Sequence, residues 1–226
     1  MNKKLLIVDG NSIINRAFYA ISGSRMLTRS DGTPTNAVYG FINIFNKYME
    51  EEKPDFVAVA FDLKAKTFRS ELYVDYKAHR KGMPDELAIQ LPMVKEVLNA
   101  MNVSIIEKEG LEADDLIGIY SKIAEEQGIQ VVILTGDRDA LQLVSDMVTV
   151  IIPSTSKGFT STARYTPETV KNEYGVEPRS LIDVKALMGD PSDNIPGVKG
   201  VGQKTALLLI KEFGSLDGVY ENLSAI

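Results

Sequence analysis

Three short apolar runs in this chain, Lys4–Val8, Phe56–Phe61 and Val131–Leu134, each stop at an aspartate at or just past the last residue: Asp9, Asp62 and Asp137. Short apolar runs without polar alternation are strands buried on both faces. Met147–Ile152, ended by Pro153, reads as a fourth, and Val103–Ile106 as a fifth. Asp9-Gly10 reads as a turn closing the first strand. Between the runs lie Ala37–Met49, Leu87–Met101 and Leu111–Ala124, with apolar residues at the 3.6-residue spacing of amphipathic helices. Such an alternation makes a mostly parallel sheet covered on both sides, so the fold class is α/β.

The segment Ala65–Met83 breaks this rhythm. It is rich in basic and aromatic residues, shows no core face, and ends at Gly82-Met83-Pro84. After Pro153, Ser154–Thr162 is polar and loop-like. From Thr166 onward, an N-cap before Pro167 at N1, the chain reads as helical only, with two or three helices around the Pro/Gly-rich hairpin Pro191–Gly202. The boundary is placed there, dividing the chain into 1–165 and 166–226.

The chain has 226 residues, enough for one large domain or a domain with an appendix. It has no Cys and one His, His79, which excludes a disulfide framework, a thiolate nucleophile, a Cys- or multi-His metal site and a catalytic triad. Any metal chemistry must use oxygen ligands. The apolar run before Asp9 is too short for a signal peptide, and none approaches the ~18 residues of a membrane span. A cytoplasmic protein without a membrane partner is expected. Against 31 Asp+Glu stand 25 Lys+Arg, a net charge of −6, which ordinarily argues against a polyanionic partner.

Ligands of a doubly wound sheet gather at the carboxyl ends of its strands, where Asp9, Asp62 and Asp137 fall. Asp139 follows Asp137 by two, and in extended backbone both would point the same way. Glu112, Asp114 and Asp115 open a helix, with Glu112 and Asp115 on one face; Asp190 and Asp193 precede the hairpin. Singly, each has an ordinary structural reading: helix-dipole acids, a turn, a capping loop. Nine carboxylates directed at one rim are different, because their repulsion needs cations. Hard oxygen ligands with no His or Cys select Mg²⁺ or Mn²⁺. Nine acids suit two or more ions, the usual device for in-line phosphodiester hydrolysis.

Other motifs nearly match something else. Gly197–Thr205 (GVKGVGQKT) misses the P-loop spacing because Gln203 separates Gly202 from Lys204, and no dinucleotide fingerprint is complete. Asp9-Gly-Asn11 lacks the second Asp of a phospho-aspartate phosphatase. Gly197, Gly200 and Gly202 with Lys199, Lys204 and Thr205 better suit a tight turn aiming N–H groups and ammonium groups at phosphates, without base readout; the plain alternative is a helix–turn–helix corner. Tyr76-Lys77…His79-Arg80-Lys81 is either a solvated charged loop or a single-strand contact with a stacking ring. Arg16, one or two helical turns past Asp9, is a surface arginine or a phosphate contact.

These residues resemble the 5′–3′ exonuclease domain of bacterial DNA polymerases, within the flap endonuclease superfamily. The matching segments are Ile7–Ser12, Arg16–Tyr19, Thr35–Phe41, Phe61-Asp62, Phe68-Arg69, Tyr76-Lys77…Arg80, Glu112–Asp115, Thr135–Asp139 and Gly189–Val198, in order along nearly the whole chain. The resemblance implies a resolvase-like (PIN-like) nuclease core, and all nine acids coincide with the family's metal positions. It implies a helical arch or gateway within about 65–92 for a 5′ single strand, with Lys77 and Arg80 assisting catalysis. It further implies a C-terminal helix–hairpin–helix, often holding K⁺, that grips duplex DNA. His79 departs from the family, where a small polar residue is usual. The chain also ends at Ile226, short of the last helices expected, which leaves open a linked polymerase domain or a stand-alone nuclease.

The expected activity is a structure-specific 5′ nuclease acting near single-strand/double-strand junctions in replication and repair, including RNA primer removal. It is expected to be monomeric and associated with the bacterial nucleoid. Asp9, Asp62, Glu112, Asp114 and Asp115 would hold an inner metal cluster, and Asp137, Asp139, Asp190 and Asp193 a second. Tyr76 and Arg16 would position the strand. Replacing Asp115 with Ala is expected to leave the metal-free fold intact, since it removes like charge. The alternatives are a ribonuclease or phosphomonoesterase on a related fold, and a non-catalytic DNA-junction binder. Setting the nine acids aside leaves 22 against 25 bases, so the surface outside the site is modestly basic.

Overall fold

The computed structural model describes residues 3–21, 27–80, 82–156 and 159–225. Its elements run β1 (Lys4–Asp9), α1 (Gly10–Ala20), α2 (Asn36–Glu52), β2 (Phe56–Ala60), α3 (Phe68–Leu72), α4 (Asp85–Ala100), β3 (Ser104–Ile106), α5 (Ala113–Glu126), β4 (Gln130–Leu134), a 3₁₀ turn (Arg138–Leu143), β5 (Val148–Ser156) and β6 (Phe159–Tyr165). The remainder is α6 (Pro167–Tyr174), a 3₁₀ turn (Pro178–Ser180), α7 (Leu181–Met188), β7 (Gly189–Asp190), β8 (Ile195–Pro196), α8 (Gln203–Phe213), α9 (Leu216–Glu221) and a last 3₁₀ turn (Leu223–Ala225). The five apolar runs are all strands, and they form the parallel part of a six-stranded sheet of order β3-β2-β1-β4-β5-β6.

Central β1 shows why that sheet is buried twice. Leu6 and Val8 enter a core with Ile13, Phe41, Phe45, Tyr48, Leu87 and Leu98 from α1, α2 and α4. Ile7, on the opposite side of the pleat, packs with Ala113, Ile117 and Ile133 under α5. A third core, built on Val176, Val184, Leu187, Ala206, Ile210 and Val219, holds the C-terminal helices together. Tyr174 and Leu181 touch both the second and the third, which seats the helical segment against the sheet.

Four local readings are corrected. Asp9-Gly10 is no turn: β1 runs directly into α1, and Asp9 caps that helix by accepting from the Ser12 N–H at 2.9 Å. A Cβ on Gly10 would overlap the Phe61 ring, so the strand–helix junction needs glycine for close approach. β5 does not end at Pro153 but continues to Ser156. Its ladder with β4 stops at Ile151, so proline sits where only β6 pairs with it. Ser154–Thr162 is therefore largely strand, with β6 antiparallel at the sheet edge; its polar composition suits an edge and hides it from an apolar-run search. The C-terminal part is not helical only, because Gly189–Asp190 pairs with Ile195–Pro196. Thr166 caps α6 ahead of Pro167, as read.

Candidate metal centre

Strand register puts the three strand-end acids on one rim. Asp9 lies beside Ala60, two residues before Asp62, while Val8 lies beside Leu134, three before Asp137. Asp9 is almost wholly buried and accepts from the Thr135 hydroxyl at 2.7 Å as well as from Ser12. Burial, opposed by those two hydrogen bonds and reinforced by the charges of Asp62 and Asp137, raises its carboxyl to about 6. Asp62 accepts from the Ala113 N–H at 2.7 Å, tying the end of β2 to the first turn of α5. Asp114, from that turn, completes the group. Crowding by protein and then the fields of Asp9, Asp137 and Asp62 push it up to about 7. Its side chain also keeps an open side toward water, which moderates both the burial and the three like charges. No ion pair or hydrogen bond from a Lys or Arg reaches Asp9, Asp62, Asp114 or Asp137 among the described residues; only the more distant field of Lys77 relieves Asp114.

The other five acids are compensated. Arg69 forks onto Asp115 with two 2.7 Å bonds, and Asp115 also accepts from the Glu112 N–H. Despite partial burial, that fork holds Asp115 below the usual carboxylate range. Glu112 accepts from Lys77 Nζ and from the Tyr76 hydroxyl, each at 2.9 Å. Asp193 accepts from Tyr76 at 3.1 Å and pairs with Arg80. Tyr76, half-buried between those two carboxylates, stays protonated because burial and the charge of Glu112 both raise its hydroxyl. Lys77 has a left-handed backbone, φ 56°, with its N–H held by the Asp193 carbonyl at 2.9 Å. Lys185 lies 2.8 Å from both Asp139 and Asp190. Asp190, which also receives the Ser192 N–H and hydroxyl, falls to about 2 even though burial opposes this. Asp139 nevertheless rises, because burial and the nearby Asp137 outweigh its share of the same ammonium. Lys185 thus neutralises Asp190 and only partly relieves Asp139.

The remaining sequence candidates are placed as follows. Asp139 does not continue an extended strand from Asp137; it lies in a 3₁₀ turn whose cap is Asp137, accepting from the Asp139 N–H at 2.8 Å. Arg16 bonds the Pro153 carbonyl, and its buried Nε finds no acceptor. Tyr76 carries Lys77 Nζ over one face of its ring, 4.8 Å from the centroid. Among the described residues between Ala65 and Gly82, α-helix is confined to Phe68–Leu72, and Lys81 lies outside the described residues. In the hairpin, Gly200 takes a left-handed φ of 86°, Gly202 opens α8, and Lys199, Lys204 and Thr205 are exposed. Lys185 escaped the sequence reading because one Lys in the last turn of an apolar helix passes for a dipole partner. Thr135 and Ser192 are equally ordinary in sequence; only proximity to Asp9 and Asp190 gives them a role.

A cleft of about 990 Å³, lined in part by Glu112, Asp114, Asp115, Asp139, Asp190 and Asp193, opens beside this cluster. Among the described residues, no three acids already stand together as a ligand set for one ion, and the cation contacts just described hold five of the nine. The donors nonetheless fit hard divalent cations: all are carboxylates, and four of them repel one another without a contacting counter-charge.

Two family models match in tandem: the 5′–3′ exonuclease N-terminal resolvase-like domain over residues 4–175, and the 5′–3′ exonuclease C-terminal SAM fold over residues 176–226. DNA polymerase I of Caldicellulosiruptor bescii is 52% identical over 99% of this chain, and that of Bacillus subtilis 47% identical over 99%. The chain spans only 26% and 25% of those relatives. The fold is shared with a zinc-bound T5 5′-exonuclease (TM-score 0.76, 23% identity, 98% of this chain and 79% of that one). It is shared also with flap endonuclease-1 from Methanococcus jannaschii (TM-score 0.62, 19% identity, 99% and 74%). By sequence along its length and by the architecture that sequence builds, this chain belongs to the 5′–3′ exonuclease family.

Proposed function

We propose that the chain is a divalent-metal-dependent 5′ nuclease that hydrolyses DNA phosphodiesters at single-strand/double-strand junctions and 5′ flaps, leaving a 5′-phosphate, and that it removes RNA primers or flaps in replication and repair. The observation that carries this reading is the uncompensated quartet of Asp9, Asp62, Asp114 and Asp137 at the carboxyl rim of the sheet. Asp9, Asp62, Glu112, Asp114 and Asp115 would hold Mg²⁺ or Mn²⁺ in an inner group, and Asp137, Asp139, Asp190 and Asp193 in a second. Bound there, two such ions supply Lewis-acid activation of water and charge neutralisation at the phosphate. Lys77 and Arg80 add positive charge at the scissile phosphate once they exchange Glu112 and Asp193 for it. Tyr76 and Arg16 would steady the single strand.

Functionally the chain divides near Thr166. The part before it cuts, with 65–92 as the gateway for the 5′ strand. The part after it grips duplex phosphates through Gly197, Lys199, Gly200, Gly202, Lys204 and Thr205, with K⁺ as a candidate ion at that hairpin. A polymerase domain elsewhere in the protein, monomeric action and a place at the cytoplasmic nucleoid complete the proposal. Among the described residues no helix is long and apolar enough to cross a membrane. The test is incubation with labelled 5′-flap DNA, a matched RNA and a simple phosphate ester in Mg²⁺. Cleavage confined to the flap supports the proposal. Hydrolysis of RNA or ester alone makes it a different phosphoesterase, and binding without cleavage makes it a junction binder.

A further inference from the structure

Lys185 is the only Lys or Arg that the described residues place on Asp139 and Asp190. Its ammonium sits between a carboxylate from the turn after β4 and one from β7, joining the two halves of the chain. It bonds Asp139 Oδ1 at 2.8 Å and Asp190 Oδ2 at 2.8 Å. The other oxygen of Asp190 is already taken by Ser192. A divalent ion shared by these two acids would draw on the oxygens that Nζ now occupies, at a closer approach than an N–H···O bond allows. The lysine can yield: its side chain is 39% exposed, on a flexible four-carbon stem.

We propose that Lys185 is an internal counter-cation that competes with the divalent ion for Asp139 and Asp190, making this the weaker of two metal sites and a positioning residue for its ligands. This rests on the two-ion reading above. In the inner group Lys77 and Arg69 hold only Glu112 and Asp115, while Asp9, Asp62 and Asp114 meet no contacting cation among the described residues, so that group fills first. As metal concentration rises, the second ion displaces the ammonium, which is then free to face a phosphate. Occupancy of the second site therefore depends on metal concentration through Lys185 at Asp139 and Asp190, beside the Arg80 contact at Asp193.

The experiment is calorimetric titration of the purified chain with Mn²⁺, without DNA, for wild type, Lys185→Met and Lys185→Arg. Wild type should show one tight and one weaker class of site. Lys185→Met should tighten the weaker class by about tenfold, the repulsion between one charge and a doubly charged ion ~5 Å away in a water-like dielectric. The tight class should not move, and Lys185→Arg should restore the weak one. In EDTA, Lys185→Met should lower the Tm, and Mn²⁺ should raise it by more than it raises wild type; a variant that merely misfolds would show no such gain. An unchanged or weakened second site in Lys185→Met, with both classes present in wild type, overturns the inference alone. No Mn²⁺ binding to wild type overturns it together with the two-ion reading.

Discussion

The nine acids form two populations that sequence alone does not separate. Asp9, Asp62, Asp114 and Asp137 face one another with no contacting cation, and two of them are raised to about 6 and 7. Glu112, Asp115, Asp139, Asp190 and Asp193 face Arg69, Lys77, Arg80 and Lys185, and Asp115 and Asp190 are held low. Identical chemistry therefore does opposite things to the fold. The first population stores repulsion that a divalent ion would relieve, whereas the second belongs to the network holding the segment of Arg69, Tyr76, Lys77 and Arg80, the hairpin segment and the sheet together. A substitution should lower activity in both; metal-free stability should fall in the second and hold at Asp114, the member of the first whose side chain accepts no hydrogen bond among the described residues.

The largest effect is expected for Asp114→Asn. Single-turnover cleavage of 5′-flap DNA in Mg²⁺ should fall ~10³-fold or more, about 4 kcal/mol of barrier. Its urea midpoint in EDTA should stay equal or rise; a clear fall would break the division at its centre. Next comes pH. Asp9 has a folded value of about 6, above its unfolded 3.8, so the folded state holds the proton more tightly. That contribution is fully present below 3.8 and lost as pH rises through 6. Metal-free protein should thus gain up to about 3 kcal/mol from Asp9 on going from pH 8 to pH 4. Asp114 and Asp139 act in the same direction. Asp190 acts oppositely, but only as pH falls toward 2, outside that window. Denaturation series of wild type and Asp9→Asn in EDTA check this: an unchanged pH slope in the variant assigns the effect elsewhere.

Asp115→Ala reverses its sequence-based expectation. It strips Arg69 of its fork and the Glu112 N–H of its acceptor, so metal-free stability should drop by about 1–3 kcal/mol. A thermal midpoint equal to wild type would return Asp115 to the first population. The smallest effects lie where no acid is involved. Lys204→Ala should weaken duplex binding a few-fold and reduce the salt slope by about 0.9 if it neutralises one phosphate. Its single-turnover cleavage at saturating enzyme should match wild type.

The sheet was legible because buried parallel strands advertise themselves as unbroken apolar runs, and Asp9, Asp62 and Asp137 were legible because strand ends share a rim. β6 was not, since an edge strand can be polar and its pairing partner lies in the preceding segment. Asp139 was read as strand-like from a two-residue spacing, yet the Asp137 side chain takes its N–H and turns the backbone. Lys185 and Arg69 show the general reason. Asp115 and Asp139 each receive a cation from 46 positions away, and local pattern carries no record of that distance.

At the crossing of β7 and β8, a side chain on Gly189 would overlap Gly197 and Pro196, and one on Gly197 would overlap Met188 and Gly189. The Val198 N–H also bonds the Leu187 carbonyl at 2.8 Å. The loop carrying Asp190 and Asp193 and the turn leading to Lys199 and Gly202 are thus one stiff piece of backbone. If, as proposed, one end of that piece holds duplex and the other serves the cut, the separation between grip and cut would be a built-in ruler. The position of cleavage would be counted from the double-stranded side, with no need to read a base.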